Sequence, residues 1–300
     1  MKVHLFDFRW VDENTCEFQA SSGNKFGYKK LKIGDNLSIE VKSDQTQCAG
    51  SMIDDLWSPC PDKISGKAKC QSCRNRERSF IFTAFDGFDR SNVTEQDLAQ
   101  IKDSHLVYLA LFNKDLIKVG VSKLTRRNLR QLEQGSHFTL FISQTPDGIT
   151  ARQIETLLRK NGLQDKIKPT QKKDFLCPDI TETEGRNLLQ DTCKNSLNTL
   201  QEYDHLKPLV KTESAEFVNW TSYYNIVAIE KSLKSFHSVK LQKDEWVSGK
   251  IIAIKGPFLV IETPEELVFI CAKDLVGHEI QFDEKSAGIT LNTAFQKALF

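Results

Sequence analysis

The sequence predicts an α+β protein that is built from more than one module. Apolar runs separated by short turns dominate residues 1–47 and 235–300. The centre of the chain, from residue 105 to about residue 160, instead gives the order β-β-α-β-α. At 300 residues the chain is too long for one small core. We therefore expect three domains, which are residues 1–100, 101–234 and 235–300.

The N-terminal domain is expected to begin with a small β unit. In the segment NLSIEVKS, Leu37, Ile39 and Val41 alternate with polar residues, which is the period of a half-buried strand. Cys16 stands in a similar strand-like run and is predicted to be a small core residue. No residue of this unit indicates chemistry.

Four cysteines follow within residues 48–73, and the last two form the C-x2-C motif CQSC. Two thiolates at this spacing can bind one tetrahedral Zn²⁺ from a tight turn, and the ion requires four ligands. The segment has too few apolar residues to form a core, so a metal would supply the missing stability. We therefore predict a structural zinc, in preference to unrelated buried thiols or a redox site. Its predicted ligands are Cys48, Cys60, Cys70 and Cys73.

The central domain begins with two β runs that are joined by a polar break at residues 113–115, which is typical of a hairpin. A helix with three arginines, a third strand and a second helix follow. On the first helix, Arg126 and Arg130 are four residues apart and project together. On the second helix, Glu155 lies at the edge of the apolar stripe, where an unpaired carboxylate would be costly. Its partner is expected to be an arginine of the first helix or a metal ion.

Two capping boxes predict where helices of the central domain begin. The first combines Thr150 with Gln153, at the start of the helix that carries Glu155. The second combines Thr181 with Glu184 and starts a longer helix with apolar residues at spacings of three and four.

The central order and its residues resemble the GIY-YIG nuclease superfamily over about fifty residues. The LVY segment that ends at Tyr108 stands for the first tripeptide, and the KVG segment from Lys118 stands for the second. The resemblance implies that Tyr108 activates or orients water, that Arg130 or Arg127 stabilises the phosphate, and that Glu155 holds one Mg²⁺ or Mn²⁺. Lys118 replaces the tyrosine of the second tripeptide. It can donate to a phosphate, but a protonated lysine cannot serve as a base.

The C-terminal domain returns to short strands that are punctuated by glycines, and four or five of them predict a compact barrel-like module or a curled sheet. The whole layout, with the strand pair around IKGPFLV and the segment RQLEQG, resembles a prokaryotic family of proteins whose function is unknown. This resemblance spans most of the chain, and it implies architecture rather than activity.

Local basic patches in the sequence indicate where the protein would bind nucleic acid. The net charge of the chain is only +1, so any attraction to nucleic acid has to come from such patches. One lies in the zinc segment and another on the first central helix. The residues expected to contact DNA or RNA are Arg74, Arg76, Arg78, Arg126 and Arg127.

We expect a zinc-containing, nucleic-acid-binding protein whose nuclease-like domain can act as a metal-dependent phosphodiesterase. The alternatives are a non-catalytic nucleic-acid-binding protein and a protein-interaction scaffold. No apolar run approaches the roughly 20 residues that span a bilayer, and the N-terminus lacks a secretory signal. We therefore expect a cytoplasmic protein with no membrane partner. The predicted catalytic residues are Tyr108, Lys118, Arg130 and Glu155.

Overall fold

A computed structural model describes residues 2–53, 56–77, 81, 84–160, 162–200, 202–211, 214–232, 234–282 and 288–290. The protein is a mixed α+β protein, as the sequence predicts. Its strands are β1 (Lys2–Asp12), β2 (Thr15–Ser22), β3 (Lys25–Leu31), β4 (Asn36–Val41), β5 (Ser51–Ile53), β6 (Leu56–Ser58), β7 (His105–Asn113), β8 (Leu116–Lys123), β9 (Phe138–Thr145), β10 (Glu216–Asn219), β11 (Ser235–Val239), β12 (Trp246–Lys255), β13 (Phe258–Glu262), β14 (Glu266–Cys271), β15 (Glu279–Phe282) and β16 (Gly288–Thr290).

The helices lie mostly in the middle of the chain. None of those that the structure describes combines the length and the apolar character needed to cross a membrane. They are α1 (Gln71–Arg76), α2 (Glu95–Gln100), α3 (Arg127–Gln134), α4 (Gly148–Lys160), α5 (Pro169–Lys172), α6 (Glu182–Ser196) and α7 (Ile226–Glu230).

The chain forms two compact units. The first unit combines Met1–Glu77 with Tyr224–Phe300, and the second is Arg78–Tyr223. Strands from both ends of the chain form one ten-stranded sheet in the first unit. The predicted first and third domains therefore contribute to the same sheet.

The prediction of a barrel-like module at the C-terminus is wrong, because the C-terminal strands belong to the ten-stranded sheet. Strands β12, β13 and β14 pair in sequence order, but β12 also pairs along its other edge with β4. Because a strand from the other end of the chain occupies that edge, the C-terminal strands continue the N-terminal sheet instead of closing on themselves. Among the described strands the sheet stays open, with the order β11-β14-β13-β12-β4-β15-β1-β2-β3 and with β16 beside β12.

The second unit has the predicted element order β-β-α-β-α, in β7, β8, α3, β9 and α4. Its sheet has the strand order β10-β9-β7-β8, so β8 is an edge strand among those described. One face of the sheet packs against α4 and α6 through a continuous apolar core. That core includes Val107, Leu109, Val119, Leu140, Ala151, Ile154, Leu157 and Leu189.

One of the two predicted capping boxes forms and the other does not. Thr181 and Glu184 cap α6 reciprocally, as predicted. The box of Thr150 and Gln153 is wrong, because α4 begins earlier, at Gly148. The side chain of Asp147 accepts the hydrogen bond of the Thr150 N–H at 2.8 Å, so an upstream carboxylate replaces the predicted cap.

Candidate metal centre and cationic cleft

The four predicted zinc ligands lie together in the first unit. The sulfur atoms of Cys48, Cys60, Cys70 and Cys73 all lie within 4.8 Å of one another, and all four residues are buried. The Sγ atoms of Cys60 and Cys70 are 3.8 Å apart. Tetrahedral thiolates at about 2.3 Å from a zinc ion are separated by about 3.8 Å. The donor set therefore fits a structural zinc with four thiolate ligands and no open coordination position.

Backbone N–H groups of the C-x2-C turn point at the sulfur atoms. The N–H of Cys70 donates to the Sγ of Cys48 at 3.2 Å, and the N–H of Cys73 donates to the Sγ of Cys70 at 3.5 Å. The turn leads directly into α1, for which Cys70 is the N-cap. Hydrogen bonds around a metal site orient its ligands and stabilise their charge. The turn thus holds the thiols in a geometry that suits a metal.

The segment around the cysteines is held by hydrogen bonds and ion pairs rather than by an apolar core. The indole N–H of Trp57 donates to the carbonyl of Ala49 at 2.9 Å, and Lys69 forms a 2.6 Å ion pair with Glu77. The buried hydrophobic cluster found here consists of the four cysteines themselves. A bound metal would therefore take the place of an apolar core, as the composition predicts.

The four thiols affect the ionisation of one another. Burial raises the pKa of Cys60, but hydrogen bonds from the backbone of Ile64 and Asp62 and from the thiols of Cys48 and Cys70 together outweigh it and lower the pKa to about 7. Burial, followed by the Cys70 thiol, raises the pKa of Cys73. Adjacent thiolates repel one another, and a divalent cation offsets that repulsion. Such a cation is the partner with which all four thiols can be deprotonated together.

An open cleft of about 420 Å³ lies in the second unit, beside the edge strand β8. Its walls come from the end of β8, from α3 and from the first turns of α4. Among the described residues that line it, none carries a carboxylate. We call this the cationic cleft, because its ionisable lining residues are His105, Lys123, Arg126, Arg130 and Arg152.

Each cation of the cleft has a carboxylate partner that does not line the cleft. Such pairs orient the long side chains, and one guanidinium has five N–H donors, so an arginine can contact a carboxylate and a second anion together. The face towards the cleft is therefore suited to an anion. The pairs are Arg126–Glu133 at 2.6 Å, Arg130–Glu133 at 3.7 Å, Arg152–Glu155 at 2.5 Å and Lys123–Asp103 at 4.0 Å.

Tyr108 is enclosed within the hairpin and does not line the cleft. Tyr108 and Gly120 are register partners, and a Cβ at Gly120 would lie 2.6 Å from the Tyr108 hydroxyl. The side chain is fully buried, and its hydroxyl lacks a hydrogen bond of normal geometry to any described residue. Burial raises the pKa of Tyr108, and the positive charge of Arg130 partly offsets this. An enclosed hydroxyl with a raised pKa is poorly suited to activate water.

Lys118 is also buried, on the same face of the hairpin as Tyr108. Its Nζ donates to the side-chain carbonyl of Gln134 at 3.0 Å. Burial, followed by the positive charge of Arg130, lowers the pKa of Lys118 to about 8. Lys118 is therefore a buried lysine that remains mostly protonated at neutral pH and is already engaged with α3.

Glu155 is buried and forms an ion pair. Its Oε2 accepts a hydrogen bond from the guanidinium of Arg152 at 2.5 Å, one turn earlier on the same helix. The sequence suggested an arginine of the first helix as the partner, and the structure gives this residue of α4 instead. Among the described residues, the group of metal-binding side chains that come together is the four cysteines, without Glu155. A divalent ion at Glu155 would therefore compete with Arg152.

Of the five arginines that were predicted to contact nucleic acid, the four that the structure describes do not lie on one element. Arg126 lines the cleft, whereas Arg127 does not. The guanidinium of Arg127 lies 4.2 Å from the centre of the Phe141 ring and pairs with Glu216. Arg74 and Arg76 are exposed on α1, next to the zinc turn. Arg78 lies outside the described residues.

Three residues of the cleft were missed by the sequence analysis, namely His105, Lys123 and Arg152. Arg152 precedes Glu155 by three residues, and this helical spacing could have predicted their ion pair. Lys123 ends β8, and its sequence neighbourhood has no motif. His105 opens β7 as the first residue of a fully buried strand. A lone histidine before an apolar run carries no signal that it faces an open cleft.

Comparison with known proteins gives one match. A family model described as "Protein of unknown function (DUF2797)" matches residues 34–280, which is most of the chain. No curated protein and no solved structure matches it.

Proposed function

The chain belongs to the DUF2797 family, whose function is unknown, and we propose that it binds DNA or RNA through the cationic cleft. One observation carries the proposal: four cations line an open cleft, and no carboxylate is among the described lining residues. A nucleic-acid backbone presents one negative charge at each phosphate, and arginine is suited to contact phosphate oxygens in pairs.

Two features support the likeness of the second unit to the GIY-YIG nucleases. The first is the order β7, β8, α3, β9 and α4. The second is the packing of Tyr108 against Gly120, because any side chain at that position would collide with the tyrosine. This packing gives a physical reason for a glycine at the end of the second tripeptide. Arg130, the phosphate-stabilising residue in this comparison, lines the cleft.

Binding is better supported than metal-dependent cleavage. Tyr108 is enclosed, Lys118 is bound to Gln134, and the carboxylate of Glu155 is paired with Arg152. A phosphodiesterase with Mg²⁺ or Mn²⁺ at Glu155 is the alternative, and it requires the ion to displace Arg152. A protein-interaction scaffold is the third candidate, in which the cations of the cleft serve only their ion pairs. The four cysteines of the first unit would hold a structural zinc in each case.

Binding is tested by titrating labelled single- and double-stranded DNA and RNA at several salt concentrations. The affinity should fall steeply with salt, because bound phosphates release counterions. Arg126→Gln and Arg130→Gln should weaken binding and each reduce the salt slope by about one. Arg186→Gln is the matched control, since Arg186 is an ion-paired arginine of the same unit that does not line the cleft. Equal effects of all three substitutions would contradict the proposal.

Cleavage is tested separately, with Mg²⁺ and with Mn²⁺. Glu155→Gln keeps the shape of the side chain and removes the charge that a divalent ion needs. We expect weak activity or none from the wild-type protein, and loss of any activity in this variant. Cleavage at the wild-type level in Glu155→Gln would exclude the single-metal mechanism.

A further inference from the structure

His105 is the one ionisable residue of the cationic cleft for which the proposed function has no use. The residue is 3% exposed, and its Nδ1 lies 2.7 Å from the carbonyl oxygen of Asp103. A carbonyl oxygen only accepts hydrogen bonds, so Nδ1 carries the hydrogen. In the neutral ring this fixes Nε2 as an acceptor. The backbone of the loop before β7 thus selects the tautomer.

The acceptor atom lies where α4 begins. A Cβ added to Gly148 would be 3.1 Å from Nε2 of His105 and 2.7 Å from the Cβ of Ile101. The helix can therefore approach the imidazole this closely only because residue 148 is a glycine. Both His105 and Gly148 line the cleft. Within the described part of the chain, Nε2 has no hydrogen-bond donor.

The surroundings of His105 favour its neutral form. Burial is the main cause that lowers its pKa, and the positive charges of Lys123 and Arg152 lower it further. The backbone carbonyl and the carboxylate of Asp103 act in the opposite direction without reversing the shift. At neutral pH the cleft therefore combines four cations with the uncharged acceptor of His105.

A phosphodiester alone cannot satisfy this combination. Its oxygen atoms only accept hydrogen bonds, so they match the cations and leave Nε2 without a donor. A buried acceptor that loses contact with water and gains no donor is costly. The ribose of RNA has a 2′-hydroxyl close to its phosphates, and this group can donate, whereas deoxyribose has no such group.

We propose that the cationic cleft selects RNA over DNA, with Arg126 and Arg130 contacting a phosphate while Nε2 of His105 accepts a hydrogen bond from a 2′-hydroxyl. The proposal rests on the proposed nucleic-acid binding and names the class of nucleic acid that the same cleft takes. One neutral hydrogen bond corresponds to a preference of about 3- to 10-fold.

The test compares three single-stranded oligonucleotides of one sequence, as RNA, as DNA and as 2′-O-methyl RNA. The 2′-O-methyl group keeps the ribose and its oxygen but removes the donor hydrogen. At pH 7.5 we expect the protein to bind RNA about 3- to 10-fold more tightly than either of the others. His105→Phe keeps a planar ring without the acceptor, so it should bind RNA and DNA with similar affinity.

Two arms keep the test independent of any folding defect in the variant. The wild-type protein with 2′-O-methyl RNA removes the same hydrogen bond from the ligand side. Lowering the pH until His105 is protonated makes it a donor and a fifth cation, so the wild-type preference should shrink while DNA binding strengthens.

The outcomes separate this inference from the proposed function. Equal affinities for RNA and DNA, both weakened by Arg130→Gln, would overturn the role of His105 and leave nucleic-acid binding intact. The role of His105 would also be overturned if 2′-O-methyl RNA bound as tightly as RNA and if His105→Phe still bound RNA more tightly than DNA. Absence of binding to all three oligonucleotides would overturn both proposals.

Discussion

Tyr108 and Lys118 share one face of the β7–β8 hairpin, and burial favours the neutral form of each. It raises the pKa of Tyr108 and lowers that of Lys118 to about 8. The positive charge of Arg130 lowers the pKa of both, so it opposes burial at the tyrosine and adds to it at the lysine. The charge of Lys118 thus changes close to neutral pH.

This shift predicts a pH dependence of stability. The folded chain releases the Lys118 proton near pH 8, and the unfolded chain releases it near pH 10.5. Between these values the unfolded state holds more protons, so the free energy of unfolding rises with pH. Relative to Lys118→Met, the wild-type protein should gain up to about 3 kcal/mol between pH 7.5 and pH 10. Denaturant titrations at several pH values measure this gain.

The exposed Lys114, in the turn of the same hairpin, provides the control for this prediction. Lys114→Met should follow the wild-type pH dependence throughout. Parallel curves for Lys118→Met and the wild-type protein would show that burial does not depress the Lys118 pKa.

Gly120 gives a second prediction at the scale of a residue. Gly120→Ala places a methyl group 2.6 Å from both Cζ and the hydroxyl of the fully buried Tyr108. Overpacking of this kind should lower the free energy of unfolding by about 1–3 kcal/mol. Gly27→Ala is the matched control, because Gly27 also lies in a strand but has no atom within 4 Å of its added Cβ. Similar stability of both variants would refute the close packing.

Among the elements, we expect the C-x2-C turn and the short helix α1 to depend most on a bound ion. They follow two three-residue strands, β5 and β6, and the buried cluster beside them consists of cysteines. By contrast, α6 is a longer helix with an apolar face, and its first turn is fixed by a reciprocal cap. We therefore expect loss of the metal to destabilise the C-x2-C turn and α1, and loss of the cap to destabilise α6.

Elemental analysis should find about one zinc per chain. Cys70→Ser should bring this close to zero, because it removes one of four ligands and the sulfur that accepts from the Cys73 N–H. Cys177→Ser is the matched control, since Cys177 is a cysteine that lies outside the cluster. A zinc content that Cys70→Ser leaves unchanged would exclude these ligands.

The cap of α6 should respond to a much smaller change. Thr181→Ala removes the hydroxyl that accepts from the Glu184 N–H, and it should cost about 1 kcal/mol of unfolding free energy. Thr181→Ser keeps the hydroxyl and should stay close to wild type in the same denaturant titration. Equal losses in both variants would indicate that the methyl group, and not the cap, matters.

At the scale of the whole molecule, the first unit is discontinuous in sequence. β4 lies between β12 and β15, and β15 also pairs with β1. Each of these pairs joins the N-terminal part of the chain to the C-terminal part. The second unit, in contrast, is one continuous stretch with its own sheet and core.

This arrangement predicts how fragments behave. The fragment of residues 78–223 should unfold cooperatively by itself, since it keeps its whole core. In residues 1–77 alone β4 should not be stably paired, because it loses both of its neighbours, whereas β1, β2 and β3 still pair with one another. Circular dichroism and amide NMR spectra of the two fragments measure this. Stably protected amides of β4 in the 1–77 fragment would instead support the independent N-terminal domain that the sequence suggested.

The sequence by itself determined the features whose physical cause is local. The alternation of Leu37, Ile39 and Val41 identified a strand, because side chains of a strand alternate between faces. The C-x2-C spacing identified the thiol cluster, because the two residues share one turn. The pair of Thr181 and Glu184 identified the start of α6, because both members lie within one helical turn.

Only the tertiary structure decided which distant groups meet. Backbone hydrogen bonds pair strands largely regardless of their side chains, so the sequence of β12 does not specify β4 as its neighbour. The surroundings of Tyr108 and Glu155 were likewise decided by the fold. Tyr108 is enclosed against Gly120, and Glu155 is paired with Arg152. The ionisation of a side chain depends on its solvation and on its neighbours. His105 belongs to the cleft because the fold places β8, α3 and α4 around it, and no local motif expresses that arrangement.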